Sequence, residues 1–162
     1  MIKIDGSIGY GQVLRTAIGL SALLLKPVKI FNIRVRRPKP GLRPQHLTGV
    51  KIAAEFCAAS VKGAKIGSTQ VEFIPKYHKI PSYKKIDIGT AGSICLLLQT
   101  LTLLLVFADK EVTLEIVGGT DVKHAPTTTY FQHIFCYFLK RMGAEISLQT
   151  LRHGFYPKGE GE

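Results

Sequence analysis

The chain has 162 residues, with 22 Lys and Arg against 11 Asp and Glu, giving a formal charge of +11. A hydrophobic fraction of 46% and a charged fraction of 20% exclude a disordered chain and fit a globular one. A chain of this length buries roughly 70% of its unfolded surface and needs no disulfide staples. Its three cysteines, Cys57, Cys95 and Cys136, form no C-x-x-C, which excludes a zinc ribbon and fits a reducing compartment.

In chain order, residues 2–4 predict a strand that ends at Asp5-Gly6-Ser7. Val13, Leu14, Ala17, Ile18, Ser21, Leu24 and Leu25 then recur at helix spacing, and Pro27 stops the helix. Val28 to Val35 reads as a strand, and the proline-rich run Arg36 to Pro44 as a loop. A second helix is predicted over 45–60, with Gly63 as its stop. Lys65–Ile66 and Thr69–Ile74 read as short strands, and 75–85 as a linker or exposed hairpin.

The order then restarts. Lys85–Ile88 predicts a strand, Gly89 to Ser93 a turn, and Ile94–Ala108 a helix apolar nearly all round. That helix is shorter than the roughly 20 residues of a membrane span, and Gln99, Thr100 and Thr102 interrupt it. It is expected to lie between layers. Val112–Val117 alternates as a strand, and Gly118–Pro126 is a loop. Tyr130, Phe131, Ile134, Phe135, Phe138, Leu139 and Met142 make an apolar stripe on a helix over 127–142. Gly143 caps it, and Glu145–Gln149 predicts a strand.

The two halves match at an offset of roughly 80 residues: Ile4-Asp5 with Ile86-Asp87, and Gly63-Ala64 with Gly143-Ala144. The expected class is α/β in an α+β layered form, with tandem β-α-β-α-β-β repeats and two helices on one face of each sheet. The first repeat spans 1–75, a linker or hairpin 76–84, and the second repeat 85–162, incomplete at its last strand. The strand edge left open offers a route to a homo-oligomer. MIKIDGS has no secretory pattern, so a soluble cytoplasmic protein without a membrane segment is expected.

The positive charge is concentrated. Arg34, Arg36, Arg37, Lys39 and Arg43 fall within ten residues, with His46 just beyond and no acid among them. Guanidinium forks suit phosphates better than lysines do, so this run is a candidate phosphate surface. Its prolines stiffen the loop and lower the entropy lost on binding. Arg15, one turn into the first helix, is placed to point at the same spot. Each repeat enters its first helix through a small-residue turn, Gly6 to Gly11 and Gly89 to Ser93, where backbone N–H groups favour an anion. Neither turn is a P-loop or a G-x-G-x-x-G. Gln99, an amide in an apolar helix, either bonds backbone or reads a ligand. The five histidines show no metal spacing, and no nucleophile is identified.

IDGS…GQVLRTAIGLS, NIRVRRPKPGLRPQHLTGV, GAKIGS, IGTAGSICLLLQTL, GGTDVKHAPTTTYF and RHGFYPKG resemble, in order, the motifs of the RNA 3'-terminal phosphate cyclase family. PGLRPQHL and RHGFYPKG are the most specific strings. The resemblance implies repeated β-α-β-α-β-β units and a ligase that uses ATP and a divalent metal (Mg or Mn). It converts the 3'-terminal phosphate of an RNA to a 2',3'-cyclic phosphate. A histidine takes AMP and releases pyrophosphate, AMP passes to the RNA phosphate, and the 2'-hydroxyl displaces it.

Carried over by motif, Arg15, Arg34, Arg37, Arg43 and Gln45 would line the site, with Lys39 and His46 beside them binding RNA and phosphate. Gln99, Pro126 and Tyr130 would surround the adenosine. The chain covers the front part of the family pattern, and no catalytic residue is carried over: the family's histidine nucleophile lies beyond Glu162. ATP alone is therefore expected to leave no covalent adenylate on this chain. The family's glycine turn holds a metal-binding glutamate, whereas Gly6 to Gln12 here is shorter and holds no acid, so no metal ligand is carried over. The competing reading is a non-catalytic cyclase-like protein that binds RNA in ribosomal RNA processing.

Overall fold

The computed structural model describes residues 1–162. Strand β1 (Ile2–Asp5) runs parallel to β2 (Val28–Phe31), joined by helix α1 (Gly11–Leu24). Helix α2 (Pro44–Phe56) follows, then β3 (Ser60–Lys62) and β4 (Val71–Ile74), which pair antiparallel and complete a sheet of order β1-β2-β4-β3. The β2–β4 register sets Val28 against Phe73, Lys29 against Glu72 and Ile30 against Val71. With a side-chain period of 2, one face is apolar and buried, while the other carries the Lys29–Glu72 ion pair at 3.0 Å.

A second sheet pairs β5 (Tyr83–Asp87) in parallel with β6 (Thr113–Val117), joined by α3 (Ile94–Val106). Helix α3 packs on both α1 and α2. Thr100 is the meeting point: a Cβ on Gly19 of α1 would lie 2.8 Å from its carbonyl oxygen, and one on Gly49 of α2 3.1 Å from its hydroxyl. The two glycines allow this close crossing, which brings the neighbouring Gln99 toward α1. The apolar helix thus lies where its composition predicts, and no helix is long and apolar enough to cross a membrane.

Several elements differ from expectation. Strand β2 stops at Phe31, because Asn32 (φ 54°) and Arg34 (φ 55°) take left-handed conformations and turn the chain while Ile33 plugs the core. Helix α2 ends at Phe56; Ser60–Lys62 belongs to β3, whose register with β4 takes up residues that helix spacing assigns to the helix. Gly63 therefore opens the β3–β4 connection instead of stopping a helix, and Lys65–Ile66 lies in that connection rather than in a strand. Residues 75–82 are pinned to the end of α2: Lys76 and Tyr77 donate to the Cys57 carbonyl and Lys79 to the Phe56 carbonyl. Ile80 is buried.

The last helix comprises α4 (Thr128–Tyr130), a π-helical turn (Phe131–Phe135) and α5 (Cys136–Arg141). The extra residue of a π-turn rotates the rest of the helix by about 100°. It splits the predicted stripe: Phe131 is buried, with Cys136 from outside the stripe beside it, while Tyr130, Ile134, Phe138 and Met142 are exposed. Glu145–Gln149 forms no strand. Its alternation survives as packing, with Ile146 and Leu148 resting on Cys95, Phe131 and Cys136, but no neighbouring strand supplies a ladder.

Candidate phosphate and nucleotide site

The basic loop between β2 and α2 is held at both ends. Ile33 N–H donates to Thr69 O, Leu42 N–H to Ser68 O, and Gly67 N–H to Leu42 O, with Ile33 and Leu42 fully buried. The Arg34 guanidinium Nη1 donates to Gly41 O at 2.7 Å and Lys39 O at 3.1 Å, so Arg34 braces the loop from inside. Burial holds its guanidinium below the ordinary value, and Arg37 and Arg43 add to the effect. The Arg37 guanidinium lies 4.0 Å over the ring of Tyr10, tying the loop to the turn before α1. The Lys39 side chain is exposed at the loop tip.

Arg43 is the N-cap of α2 and Pro44 its first residue, the position where a missing N–H costs nothing. The Arg43 N–H donates to His46 Nδ1 at 3.2 Å. His46 is buried, and burial, with Arg34, Arg15 and Arg43 around it, pushes its pKa down to about 4. It is therefore neutral at pH 7, with the proton on Nε2. That nitrogen faces the start of α1, 2.6 Å from where a Cβ on Gly11 would stand; Arg15 Nη1 is 3.0 Å from the same point. Gln45 accepts from Ser93 N–H at 2.8 Å. The starts of α1, α2 and α3 thus converge, and their dipoles add to the arginines' positive field.

Beyond Arg15 opens a cavity of about 830 Å³, on whose wall Gln12, Thr16, Gln99, His124 and Pro126 join Arg15. Leu96, Leu103, Val106 and Phe135 supply apolar walls, and no acid lines it. Arg15 Nε is buried without a hydrogen-bond partner, and burial lowers its pKa. An unpaired cationic donor at the end of an apolar cavity suits an anion attached to a flat, apolar group.

Of the residues singled out from sequence, Arg15, Arg34, Arg37, Arg43 and His46 come together, and Gln45 stands beside them. Gln99 and Pro126 share the cavity with Arg15. Tyr130 does not line it; its side chain is exposed at the start of the split helix. No three His, Cys, Asp or Glu side chains gather in one place, and the Gly6–Gln12 turn holds no acid.

Sequence reasoning missed one network. Asp121 Oδ2 lies 2.9 Å from His153 Nδ1 and accepts from the Thr120 hydroxyl at 2.7 Å, while Gly154 N–H donates to that hydroxyl at 2.9 Å. It welds the Gly118–Pro126 loop to the Arg152–Gly161 segment. Thirty-two residues separate the partners, and no local spacing signals the pairing.

The sequence profile of the RNA 3'-terminal phosphate cyclases matches residues 7–162. The chain belongs to the RNA 3'-terminal phosphate cyclase family. A cyclase of that name from Pyrobaculum aerophilum is 51% identical over 162 residues, covering 99% of this chain and 46% of the relative. Those of Ignicoccus hospitalis and Archaeoglobus fulgidus are 50% and 49% identical, covering 100% and 99% of this chain. The chain spans slightly less than half the length of these cyclases, 46% and 49% in the latter two.

Proposed function

We propose that this chain forms the RNA-end and nucleotide grip of an enzyme that uses ATP to convert an RNA 3'-phosphate to a 2',3'-cyclic phosphate. One observation carries the reading: Arg15, Arg34 and Arg43 gather around a neutral imidazole where three helix starts meet, with Arg37 beside Arg34, next to a cavity bearing Gln99 and Pro126. Arg37 and Arg43 hold the RNA terminal phosphate. Arg15, at the boundary between loop and cavity, meets a nucleotide phosphate. Gln99 and Pro126 face the nucleoside, whose base fits the apolar walls; Tyr130 joins them only if its exposed ring swings over the bound nucleoside.

In the proposed sequence AMP passes from ATP to the RNA 3'-phosphate and pyrophosphate departs. The 2'-hydroxyl oxygen then bonds to the phosphorus, its proton passes to solvent, and AMP departs with the electron pair of the broken P–O bond. The arginines compensate charge that moves among the phosphates, and they do so from fixed positions.

The test compares binding of one oligoribonucleotide ending in a 3'-phosphate or a 3'-hydroxyl. Preference for the phosphate by about tenfold or more supports the grip, and equal affinity removes it. Cyclic ends formed with ATP by a longer protein that carries this chain support the enzyme. RNA binding without such ends favours the non-catalytic RNA-binding reading.

A further inference from the structure

The turn before α1 holds a tyrosine where the backbone resists one. Tyr10 has φ 52° and ψ −122°, a conformation L-residues rarely adopt, and it sits between Gly9 and Gly11. Its ring does not fill the core: 47% of the residue remains exposed. It lies under the Arg37 guanidinium at 4.0 Å, and the next residue, Gly11, abuts His46 and Arg15. A half-open aromatic ring therefore stands at the rim of the arginine cluster, braced by one of its members.

We infer that Tyr10 is a stacking platform for the unpaired 3'-terminal base of the RNA whose phosphate the arginines hold. Single-stranded RNA is recognised by aromatic rings and guanidinium planes that take up splayed bases, and the contact tolerates any base because each has a π-face. Arg37 serves both functions: its charge reaches the phosphate and its plane holds the ring. The inference rests on the phosphate-binding reading above, and adds a base contact to it.

The experiment measures affinity for two oligoribonucleotides that both end in a 3'-phosphate, one with a normal terminal base and one abasic at that nucleotide. The wild-type chain is expected to prefer the base-bearing end by about tenfold, the scale of one base–aromatic stack. Tyr10→Ala should erase that preference while binding the abasic end within twofold of wild type, and Tyr10→Phe should keep it. Equal losses for both ends in Tyr10→Ala would mean that the ring merely steadies Arg37, and the inference falls. It falls too if the wild type shows no preference for the base, a result that needs no variant to fold. A 3'-hydroxyl control separates the two readings: if it binds as well as the 3'-phosphate, the phosphate grip fails, whatever the base preference.

Discussion

The backbone N–H of Arg43 donates to Nδ1 of His46, closing the start of α2 with a histidine that three arginines surround. The pKa of His46 is about 4 in the folded chain against 6.5 in the unfolded one. Between these values the unfolded chain binds more protons, so stability is complete above pH 6.5 and declines as pH falls toward 4. The shift corresponds to about 3 kcal/mol at the acid end. Urea unfolding at pH 7.5 and pH 5 should show about 2 kcal/mol of this loss, and His46→Gln should flatten the slope across that window. An unchanged slope in the variant would remove His46 as its source.

Arg15 offers a trade between stability and binding. Its Nε is buried and unpartnered, and burial disfavours its charge. Arg15→Met keeps an unbranched stem of four heavy atoms and removes the desolvated cation. Relief of about 1 kcal/mol is expected, raising the melting temperature by roughly 2–4 °C. The same variant should lose most of its affinity for ATP. A melting temperature that falls would show that Arg15 is satisfied in solution and that its role in the cavity is structural.

Charge and periodicity make much of this legible. The arginine run, Gln99 in its apolar helix and the small-residue turns are visible as local anomalies, and Arg34, Arg37, Arg43 and Gln99 fall at the candidate site. Long-range choice is the part that sequence does not carry. Ser60 and Val61 suit a helix end or a strand equally, and only the partners Ile74 and Phe73 decide. The stripe from Tyr130 to Met142 has helical spacing throughout, yet the π-turn sends half of it outward, and nothing in the residues marks that insertion. Motif puts Tyr130 in the nucleotide site; the residue is exposed and does not line the cavity. His153 and Asp121 meet only because two loops are welded.

Gly41 is the hinge of the basic loop. It has φ 73°, its N–H donates to Ile33 O, and its carbonyl receives Arg34. A Cβ there would collide with the Gly67 carbonyl, which is backbone and held by its neighbours. Gly41→Ala combines a disfavoured φ with that collision and should cost about 2–3 kcal/mol. Because the loop carries the arginines, phosphate binding should fall with it even below the melting point. Chemical unfolding together with oligonucleotide binding checks both, and a variant as stable as wild type would show that the loop rearranges freely.

The arginines differ in how much of each is free for a ligand. Arg34 is committed to the carbonyls of Lys39 and Gly41, whereas Arg43 is bound within the protein through its backbone, its N–H donating to His46 and its carbonyl accepting from Leu47 N–H. Arg43→Ala should therefore weaken binding of a 3'-phosphorylated oligoribonucleotide about tenfold and leave the melting temperature within a degree or two. Removing one phosphate contact on a single strand should also reduce the slope of log affinity against log salt by about 0.7. Arg34→Ala should lower affinity and melting temperature together, since two loop carbonyls lose their donor. Titrations at several salt concentrations separate these outcomes. If Arg43→Ala leaves the slope unchanged, its guanidinium does not meet a phosphate, and the grip must be reassigned to Arg15 and Arg37.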